Sequence, residues 1–317
     1  MDIRESAEEA IGRTPLIRLS RLHPPGNLVA KVEMTSIGGS IKERIAVAMI
    51  DRAERLGLIG PGGTIIEPTS GNTGVGLAIV GAVRGYRVIC TIPDKVSEEK
   101  RSLLRAYGVE VHVTPTDLGP DHPDSYYGVA RRLAAEIEGA HHPDQYANPA
   151  NPEAHERTTG PEIWEQTEGT VGVLVAGVGT GGTISGAGRY LKSQNPEVMV
   201  VGADPEGSIF TAETEDDVRQ YLVEGVGEDF WPETLDREVI DEMVKVSDAD
   251  AISMTRRLAR TEGLLVGGSC GMAAHGALGV AERFPDRLVV VILPDSGRGY
   301  LTKIFNDRWL EEHGMGN

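Results

Sequence analysis

The chain has 317 residues, of which 40% are hydrophobic and 25% charged, as is ordinary for a globular protein with an ample core. Its formal net charge of -17 argues against nucleic acid or an anionic membrane surface as a partner. The longest apolar run, LVVVIL at 288–293, has the length of a buried strand and is far shorter than the roughly 20 residues of a membrane span.

Strand-like and helix-like stretches alternate along the chain. Short apolar runs predict strands at residues 28–32, 64–67, 87–91, 110–114, 171–176, 198–204 and 287–293. Amphipathic or apolar spacing predicts helices that begin near Lys42 and Ile184 and others at residues 75–83, 97–107 and 125–138. This alternation predicts an α/β fold with mostly parallel strands.

Lys42 follows a glycine pair and a serine at the start of an amphipathic run. Gly38 and Gly39 permit a tight turn, and Ser40 is a favourable N-cap, so Lys42 is predicted in the first turn of a helix. The partial positive charge of a helix N-terminus disfavours an ammonium there, and we expect the pKa of this amine to be lowered. A neutral amine is what Schiff-base chemistry with a carbonyl cofactor requires. The competing interpretation is an ordinary surface lysine.

Residues 69–74 (TSGNTG) lie between a predicted strand and a predicted helix. The free N–H groups of such a helix start suit a carboxylate, and Asn72 can donate a hydrogen bond to a neighbouring oxygen. An ordinary capped helix start is the alternative interpretation.

Residues 177–183 (GVGTGGT) form a glycine-rich turn at another predicted helix start. Its amides and threonine hydroxyls favour a phosphate, and the absence of a Gly-Lys-Ser/Thr ending favours a monophosphate over a triphosphate. A dinucleotide-binding loop is the competing interpretation, since the strand at 198–201 leads to Asp204, an acidic residue that could hold a ribose.

Residues 266–271 (VGGSCG) place a hydroxyl, Ser269, where it can form one hydrogen bond to a heterocyclic nitrogen. Glycines for close packing are the alternative interpretation. The adjacent Cys270 has no recognisable histidine partner, so a nucleophilic role is not expected. A carbonyl-binding lysine, a carboxylate loop, a monophosphate loop and a serine for a ring nitrogen together describe a site for pyridoxal 5'-phosphate.

These motifs resemble the β-family (fold type II) of pyridoxal-phosphate enzymes, which includes cysteine synthases and cystathionine β-synthases, and they span nearly the whole chain. The resemblance implies that Lys42 is the Schiff-base lysine and catalytic base. It further implies that Asn72 meets the phenolic oxygen of the cofactor, that Ser269 meets its pyridine nitrogen, and that the phosphate is held by Gly179, Thr180, Gly181, Gly182 and Thr183. For the substrate carboxylate it implies Thr69, Ser70, Gly71, Thr73 and Gln145.

Three stretches resemble cystathionine β-synthases more than cysteine synthases: residues 204–208, residues 224–230, and residues 294–300 with 303–309. The expected activity is therefore the conversion of L-serine and L-homocysteine to L-cystathionine. By the same resemblance, Gly225 and Glu228 lie at the mouth of the site, where Glu228 is a candidate for the homocysteine ammonium. The animal enzymes carry tyrosine at the matching place. The alternatives are a cysteine synthase using O-acetylserine and sulfide, a dinucleotide-binding oxidoreductase, and a non-catalytic scaffold.

The resemblance also implies two lobes, each a mostly parallel twisted sheet flanked by helices. We expect a large cofactor-binding lobe at residues 1–42 and 149–317 and a small mobile substrate lobe at 43–148. A cytoplasmic location is expected, because the N-terminus is polar and the two cysteines form no disulfide framework. A homodimer is also expected. No histidine pattern predicts a metal. The sequence lacks the haem segment and the tandem regulatory domains of many relatives, so control through either is not expected.

Overall fold

A computed structural model of the chain describes residues 3–69, 71–119 and 121–315. Within these ranges the strands form two sheets, one of six strands and one of four. In chain order the strands are β1 (Leu16–Arg18), β2 (Leu28–Val32), β3 (Thr64–Pro68), β4 (Arg87–Pro93), β5 (Glu110–Thr114), β6 (Ala140–His141), β7 (Val171–Gly177), β8 (Met199–Pro205), β9 (Glu242–Val246) and β10 (Leu288–Leu293).

Helices connect most of these strands, together with several short 3-10 turns. In chain order the helices are α1 (Lys42–Arg55), α2 (Asn72–Arg84), α3 (Glu98–Ala106), α4 (Tyr126–Glu136), α5 (Ala150–Arg157), α6 (Thr159–Gln166), α7 (Gly182–Gln194), α8 (Asp248–Thr261), α9 (Gly268–Arg283) and α10 (Asp307–Glu312). Strand-to-helix alternation of this kind is the pattern of α/β proteins.

The chain divides into two compact units. The smaller unit runs to Ile11 and resumes over Ser36–Asn151, and the larger unit holds Gly12–Thr35 and the chain from Pro152 onward. The larger lobe expected from the sequence had included residues 1–42. In the structure, residues 36–42 belong instead to the smaller unit, because the loop before α1 packs against α2.

The larger unit is built on the six-stranded sheet, whose order is β1-β2-β10-β7-β8-β9. Only β1 pairs antiparallel among these described strands; β2, β10, β7, β8 and β9 are parallel neighbours. The apolar run of β10 lies centrally and is almost wholly buried, as a strand with neighbours on both edges and cover on both faces requires. Helix α9 packs against this sheet through small residues such as Ala273 and Ala277.

The smaller unit is built on the four-stranded sheet, which has the order β5-β4-β3-β6 and is parallel throughout its described pairs. Its core joins α1 and α2 to this sheet, with Ile50, Leu77 and Cys90 fully buried. Buried residues on almost every turn of α2 explain why its sequence is apolar with little amphipathic contrast.

The α/β fold with mostly parallel strands is therefore confirmed. Strands β1, β6 and β9 were not anticipated, because two of them are very short and β9 carries charged residues that interrupt any apolar run. Across the described ranges, no helix has the length and apolar character needed to cross a membrane.

Candidate active site

Lys42 is the first residue of α1. The loop before it turns at Gly39, whose φ of 84° lies in the left-handed region that favours glycine. At Gly38 a Cβ atom would lie 2.7 Å from Ile79 Cδ1 and 3.0 Å from Val75 Cγ1, so a larger residue there would push aside side chains of α2. These two glycines fix where α1 begins and hence where Lys42 is presented.

Ser40 was predicted as the N-cap of α1, but the helix begins one residue later, with Ile41 at the cap position. Ser40 nevertheless forms capping hydrogen bonds: its hydroxyl accepts from the Lys42 N–H at 3.4 Å, and its N–H donates to Glu43 Oε1 at 2.9 Å. Ser36 also donates to Glu43 Oε2 at 2.7 Å. The buried Glu43 carboxylate therefore ties the preceding loop to the first turn of the helix.

Helix α2 lies close to the first turn of α1. A Cβ atom at Gly76 would lie 3.1 Å from the Lys42 carbonyl oxygen and 3.0 Å from Glu43 Cα. This approach brings the start of α1 and the start of α2 together within the smaller unit. The sequence motif at Lys42 and the motif at residues 69–74 are therefore neighbours in the fold.

The loop between β3 and α2 is the predicted carboxylate loop. Thr69 is buried and its hydroxyl accepts the Gly71 N–H at 3.1 Å. Gly71 is the N-cap of α2 with a φ of 132°, and it has no side chain to occupy the N–H groups of the first helical turn. Asn72 and Thr73 are the first two helical residues. Ser70, the remaining predicted member of this loop, lies outside the described residues.

Gln145 reaches the same helix start from a distant part of the sequence. The Thr73 hydroxyl donates to Gln145 Oε1 at 2.7 Å, and Gln145 Nε2 lies 3.4 Å from the Pro68 carbonyl oxygen. Both Thr73 and Gln145 are buried. The two segments that the sequence assigned to one carboxylate are thus joined by a hydrogen bond.

In the larger unit, β7 runs directly into the predicted phosphate loop and α7. Gly181 is the N-cap of α7 with a φ of 81°, and a Cβ atom there would lie 2.5 Å from Leu235 Cβ. At Gly179 a Cβ atom would lie 2.7 Å from the Gly225 carbonyl oxygen. The first-turn N–H groups of a helix have no partner within the helix, so this side-chain-free turn fits a monophosphate.

Two threonines anchor the phosphate loop. The Thr180 carbonyl oxygen accepts the Thr234 hydroxyl at 2.6 Å. The Thr183 hydroxyl is hydrogen-bonded to His155 Nε2 at 3.2 Å, and His155 Nδ1 is hydrogen-bonded to the Thr159 hydroxyl at 2.9 Å. The buried His155 therefore orients Thr183. Sequence reasoning missed it, since nothing local connects positions 28 residues apart.

Ser269 is the second residue of α9 and is buried near the end of β7, where a Gly177 Cβ atom would lie 3.8 Å from its carbonyl oxygen. The next residue, Cys270, is fully buried, with its thiol 3.4 Å from the Asp295 carbonyl oxygen. Burial, with the nearby Asp295 carboxylate, raises the pKa of the Cys270 thiol well above its usual value. A thiol in this state is a poor nucleophile, which agrees with assigning it no catalytic role.

The turn at residues 224–228 packs against the phosphate loop. The Gly227 N–H donates to the Val178 carbonyl oxygen at 2.7 Å. The Glu228 N–H donates to Ser208 Oγ at 3.2 Å, and its carbonyl oxygen accepts the Ile209 N–H at 2.9 Å. Glu228 is partly buried, and Gly225 is exposed at the tip of the turn. The backbone of this turn is held from two sides.

The predicted site residues thus form one group in each unit. The smaller unit brings together Lys42, Thr69, Gly71, Asn72, Thr73 and Gln145. The larger unit brings together Gly179, Thr180, Gly181, Gly182, Thr183, Gly225, Glu228 and Ser269. In the described part of the chain, no cluster of three or more histidine, cysteine, aspartate or glutamate side chains has the arrangement of a metal site.

These residues fit pyridoxal 5'-phosphate. The glycine-rich turn at Gly179–Gly182 leads into the N-terminus of a 13-residue helix, whose first-turn N–H groups suit a phosphate. Ser269 is buried in the first turn of α9, and its hydroxyl has the chemistry to form one hydrogen bond to a ring nitrogen. Lys42 is a partly exposed residue at the start of α1, and its amine is the group that a carbonyl partner requires.

Comparison with known proteins points the same way. The family model described as "Pyridoxal-phosphate dependent enzyme" matches residues 7–295. The chain is 47% identical to cystathionine beta-synthase of Apis mellifera, over 96% of this chain and 62% of that protein. It is 46% identical to the enzyme of the same name from Saccharomyces cerevisiae, over 99% and 65% respectively. It is 47% identical to the cystathionine beta-synthase of Oryctolagus cuniculus, over 97% of this chain and 57% of that protein.

Among solved structures, the chain is similar to a hydrogen sulfide-producing enzyme from Fusobacterium nucleatum, with a TM-score of 0.89 and 35% sequence identity. That match covers 94% of this chain and 100% of the solved one. By contrast, the chain spans less than two thirds of the length of the three curated relatives.

Proposed function

The chain belongs to the pyridoxal-phosphate dependent enzymes, and from this premise we propose that it catalyses β-replacement, converting L-serine and L-homocysteine to L-cystathionine and water. The observation that carries this choice of substrates is the 46–47% identity to cystathionine beta-synthases, which extends over 96–99% of the chain. Transsulfuration and the biosynthesis of cysteine are the metabolic context that such a reaction would serve.

Bound pyridoxal 5'-phosphate supplies an aldehyde for an amine and a ring that withdraws electrons from the substrate. We propose that Lys42 provides that amine and that its Nζ, once displaced by serine, accepts the proton from the serine α-carbon. The position of Lys42 at the start of α1 gives its side chain a defined origin, set by Gly38 and Gly39. The β-hydroxyl of serine takes up a proton and leaves as water, and the homocysteine thiol loses its proton as its sulfur forms the new bond to the β-carbon.

The remaining cofactor contacts follow from donor chemistry. We assign the phosphate to the residues of the turn Gly179–Thr183 and the phenolic oxygen to the Asn72 amide. Ser269 is assigned to the pyridine nitrogen. A neutral hydroxyl, unlike a carboxylate, does not enforce protonation of that nitrogen, and the ring is then a weaker electron sink. That favours loss of the β-substituent over transamination.

The serine carboxylate is assigned to the start of α2. The first-turn N–H groups and the Thr69 and Thr73 hydroxyls lie at one helix terminus, whose partial positive charge favours an anion. Gln145 completes this set through its bond to Thr73. Ser70 is assigned to the same carboxylate from its sequence position alone.

The choice of homocysteine is assigned to Gly225 and Glu228. Homocysteine differs from sulfide in carrying an ammonium and a carboxylate at its far end. A carboxylate at Glu228, on a turn whose backbone is fixed by Val178 and Ser208, is suited to that ammonium. The bond between such groups contributes about 1–3 kcal/mol in a partly dry site, or roughly one to two decades in rate.

A second candidate is cysteine synthesis from O-acetylserine and sulfide. It is considered because a similar solved enzyme, covered over its whole chain, is named for producing hydrogen sulfide, the thiol that this candidate would consume. The two candidates share the same first half-reaction and differ in the leaving group and the thiol. A dinucleotide-binding oxidoreductase is no longer a candidate, because the chain belongs to a pyridoxal-phosphate dependent family.

A product assay tests the proposal. The purified protein loaded with pyridoxal 5'-phosphate is given serine plus homocysteine or O-acetylserine plus sulfide, and cystathionine and cysteine are measured by mass spectrometry. We expect faster formation of cystathionine, no product with Lys42→Ala, and borohydride labelling of the peptide that contains Lys42 in the unsubstituted protein only. Faster cysteine formation would instead support the second candidate.

The same assay tests Glu228. In Glu228→Ala we expect cystathionine formation to fall about tenfold while the reaction with sulfide is retained. Equal losses for both thiols, or no loss for either, would remove Glu228 as the residue that discriminates between them.

We also propose that the protein is a cytoplasmic homodimer and that the smaller unit, which contains residues 43–148, acts as a mobile substrate lobe. Sedimentation equilibrium tests the dimer. Small-angle scattering with and without serine tests the motion, which is expected to reduce the radius of gyration on binding.

A further inference from the structure

The turn that carries Gln145 rests on one buried carboxyl group, Glu67. Glu67 lies in β3 and is fully buried. Its Oε1 accepts the Gln145 N–H and its Oε2 accepts the Asp144 N–H, both at 3.0 Å. A single side chain at the end of a strand thus holds two successive amides of a segment that lies 77 and 78 positions further along the chain.

Asp144 needs this support because its backbone is in an unfavourable conformation. Its φ is 55°, in the left-handed region that residues with a Cβ seldom adopt. Asp144 Oδ1 accepts the Tyr146 N–H at 3.2 Å, which closes the turn locally. Conformations of this kind persist only where surrounding contacts fix them. The Ala147 and Asn148 N–H groups hold the Asp144 carbonyl oxygen from within the turn, and Glu67 holds the Asp144 N–H from a distant strand.

A hydrogen bond connects the turn that carries Gln145 to the first turn of α2. Gln145 accepts the Thr73 hydroxyl through its side chain, and its carbonyl oxygen accepts Asn151 Nδ2 at 2.7 Å. Because both ends of Gln145 are tied, a shift of its backbone would move Oε1 away from Thr73. Thr73 is in the first turn of α2, to which the substrate carboxylate is assigned.

We propose that Glu67 is a positioning residue for the substrate carboxylate: it fixes Gln145 and, through Gln145, the Thr73 hydroxyl. The inference rests on the proposed function in that the carboxylate is assigned to the start of α2. Glu67 itself is buried beneath the turn and acts only through these two residues.

The test is Glu67→Gln. A carboxyl group offers two acceptor oxygens, whereas a carboxamide offers one acceptor and a nitrogen that cannot accept an N–H bond. In protein loaded with pyridoxal 5'-phosphate, we expect the dissociation constant of serine, measured by absorbance titration, to rise about tenfold. Bound cofactor per chain should stay the same. In cofactor-free protein, hydrogen exchange at the Asp144 and Gln145 amides should quicken about tenfold.

Glu33→Gln is the matched control. Glu33 is equally buried but lies in the larger unit, where it accepts a hydrogen bond from the Thr14 hydroxyl at 2.6 Å. Like Glu67→Gln, the variant Glu33→Gln loses a buried carboxyl group, but the lost group does not contact the turn that carries Gln145. Its serine dissociation constant and its exchange at positions 144 and 145 should match those of the unsubstituted protein.

A rescue experiment separates positioning from general stability. Glycine adopts a φ of +55° without strain, so in Asp144→Gly the turn depends less on the hydrogen bonds from Glu67 to keep its conformation. Adding Asp144→Gly to Glu67→Gln should recover most of the lost serine affinity. Unchanged serine binding in Glu67→Gln, or an equal loss in Glu33→Gln, would overturn the proposal.

Amide exchange also distinguishes the two proposals from each other. If the unsubstituted protein fails to bind serine, the proposed function fails, while exchange at Asp144 and Gln145 still reports on Glu67. Should Glu67→Gln not fold, exchange in the unsubstituted protein decides the matter. Those two amides should then exchange no faster than the buried strand β3, and rapid exchange would overturn the role of Glu67.

Discussion

Helices α2 and α7 both begin at a glycine in the left-handed region, Gly71 with a φ of 132° and Gly181 with a φ of 81°. Each helix carries a threonine as its second residue, Thr73 in one and Thr183 in the other. We assign an anion to both starts, the substrate carboxylate to α2 and the cofactor phosphate to α7. Under this assignment, the same local pattern of a glycine followed by a threonine is proposed to bind one ligand in each unit.

The two starts are stabilised differently. At α2, the threonine bonds to Gln145, and Gln145 is held by the buried Glu67, so the site depends on a chain of hydrogen bonds. At α7, Gly179 and Gly181 face backbone and side-chain atoms at distances that no Cβ atom tolerates. We therefore expect the start of α2 to be most affected by substitutions that remove a polar group, and the start of α7 by substitutions that add side-chain volume.

The largest effect is expected where volume matters. Gly181→Ala adds a Cβ atom 2.5 Å from Leu235 Cβ and places alanine at a φ of 81°. Backbone strain and overpacking together should lower the free energy of unfolding by about 2–4 kcal/mol and reduce bound cofactor. Urea unfolding and cofactor content measure both.

Gly263→Ala is the control for Gly181→Ala. Gly263 has a φ of 71°, but a Cβ atom there would meet no heavy atom within 4 Å. In Gly263→Ala the free energy of unfolding should fall by only about 1 kcal/mol, the contribution of backbone strain, and cofactor content should not change. Equal losses at the two positions would show that the contact with Leu235 is unimportant.

An intermediate effect is expected from the paired threonines. Thr73→Val removes the hydroxyl that donates to Gln145 and should weaken serine binding about tenfold with little change in bound cofactor. Thr183→Val removes the hydroxyl bonded to His155 and should weaken cofactor binding about tenfold with little change in serine binding. Absorbance titrations with serine and with pyridoxal 5'-phosphate measure each constant. If both variants weaken the same ligand, the two starts do not have separate ligands.

The smallest effect concerns pH. Burial raises the pKa of Glu67 to about 8, opposed by the Gln145 and Asp144 amides and by Lys42, and assisted by the Asp144 carboxylate. Between the ordinary pKa of about 4.5 and pH 8, the folded protein holds a proton that the unfolded chain has lost. The contribution of Glu67 to stability therefore falls as pH rises through this window.

Glu67→Gln should remove that fall, so the difference in free energy of unfolding between variant and unsubstituted protein should change steadily from pH 5 to pH 8. His142 Nε2 lies 3.4 Å from Glu67 Oε2, and burial lowers the pKa of this histidine, which gives a dependence of opposite sign. Because the two side chains are in contact, the comparison is made in a His142→Asn background, with and without Glu67→Gln, so that the pH dependence of Glu67 is measured apart from that of His142. A difference independent of pH would contradict the raised pKa. Urea unfolding at each pH supplies the measurement.

Much of the fold could be read from local pattern. The buried strands β2, β3, β7 and β10 were predicted to within about two residues, because a strand covered on both faces is apolar along its whole length. The edge strand β1 could not be read in this way. It has three residues, and its partner Ala30 identifies it as a strand only once β2 is in place.

The residues of the candidate site also fall into those that local sequence reveals and those that it does not. Glycines, threonines and a lysine at helix starts carry their chemistry in the local sequence, since turn formation and helix capping involve residues only a few positions apart. Those motifs were enough to indicate a pyridoxal-phosphate site and its family. They also indicated that Cys270 is not a nucleophile, for want of a histidine partner.

Only the tertiary structure assigned the residues that hold the motifs in place. Glu67 meets Asp144 and Gln145, and His155 meets Thr183, across separations of 77, 78 and 28 positions. Sheet order and loop closure determine such pairings, and no periodicity in the sequence encodes them. The sequence by itself determined which groups are candidates to bind each ligand, because that choice depends on residue type and local backbone. The fold decided which buried groups support them, because burial and partner choice arise from contacts between distant segments.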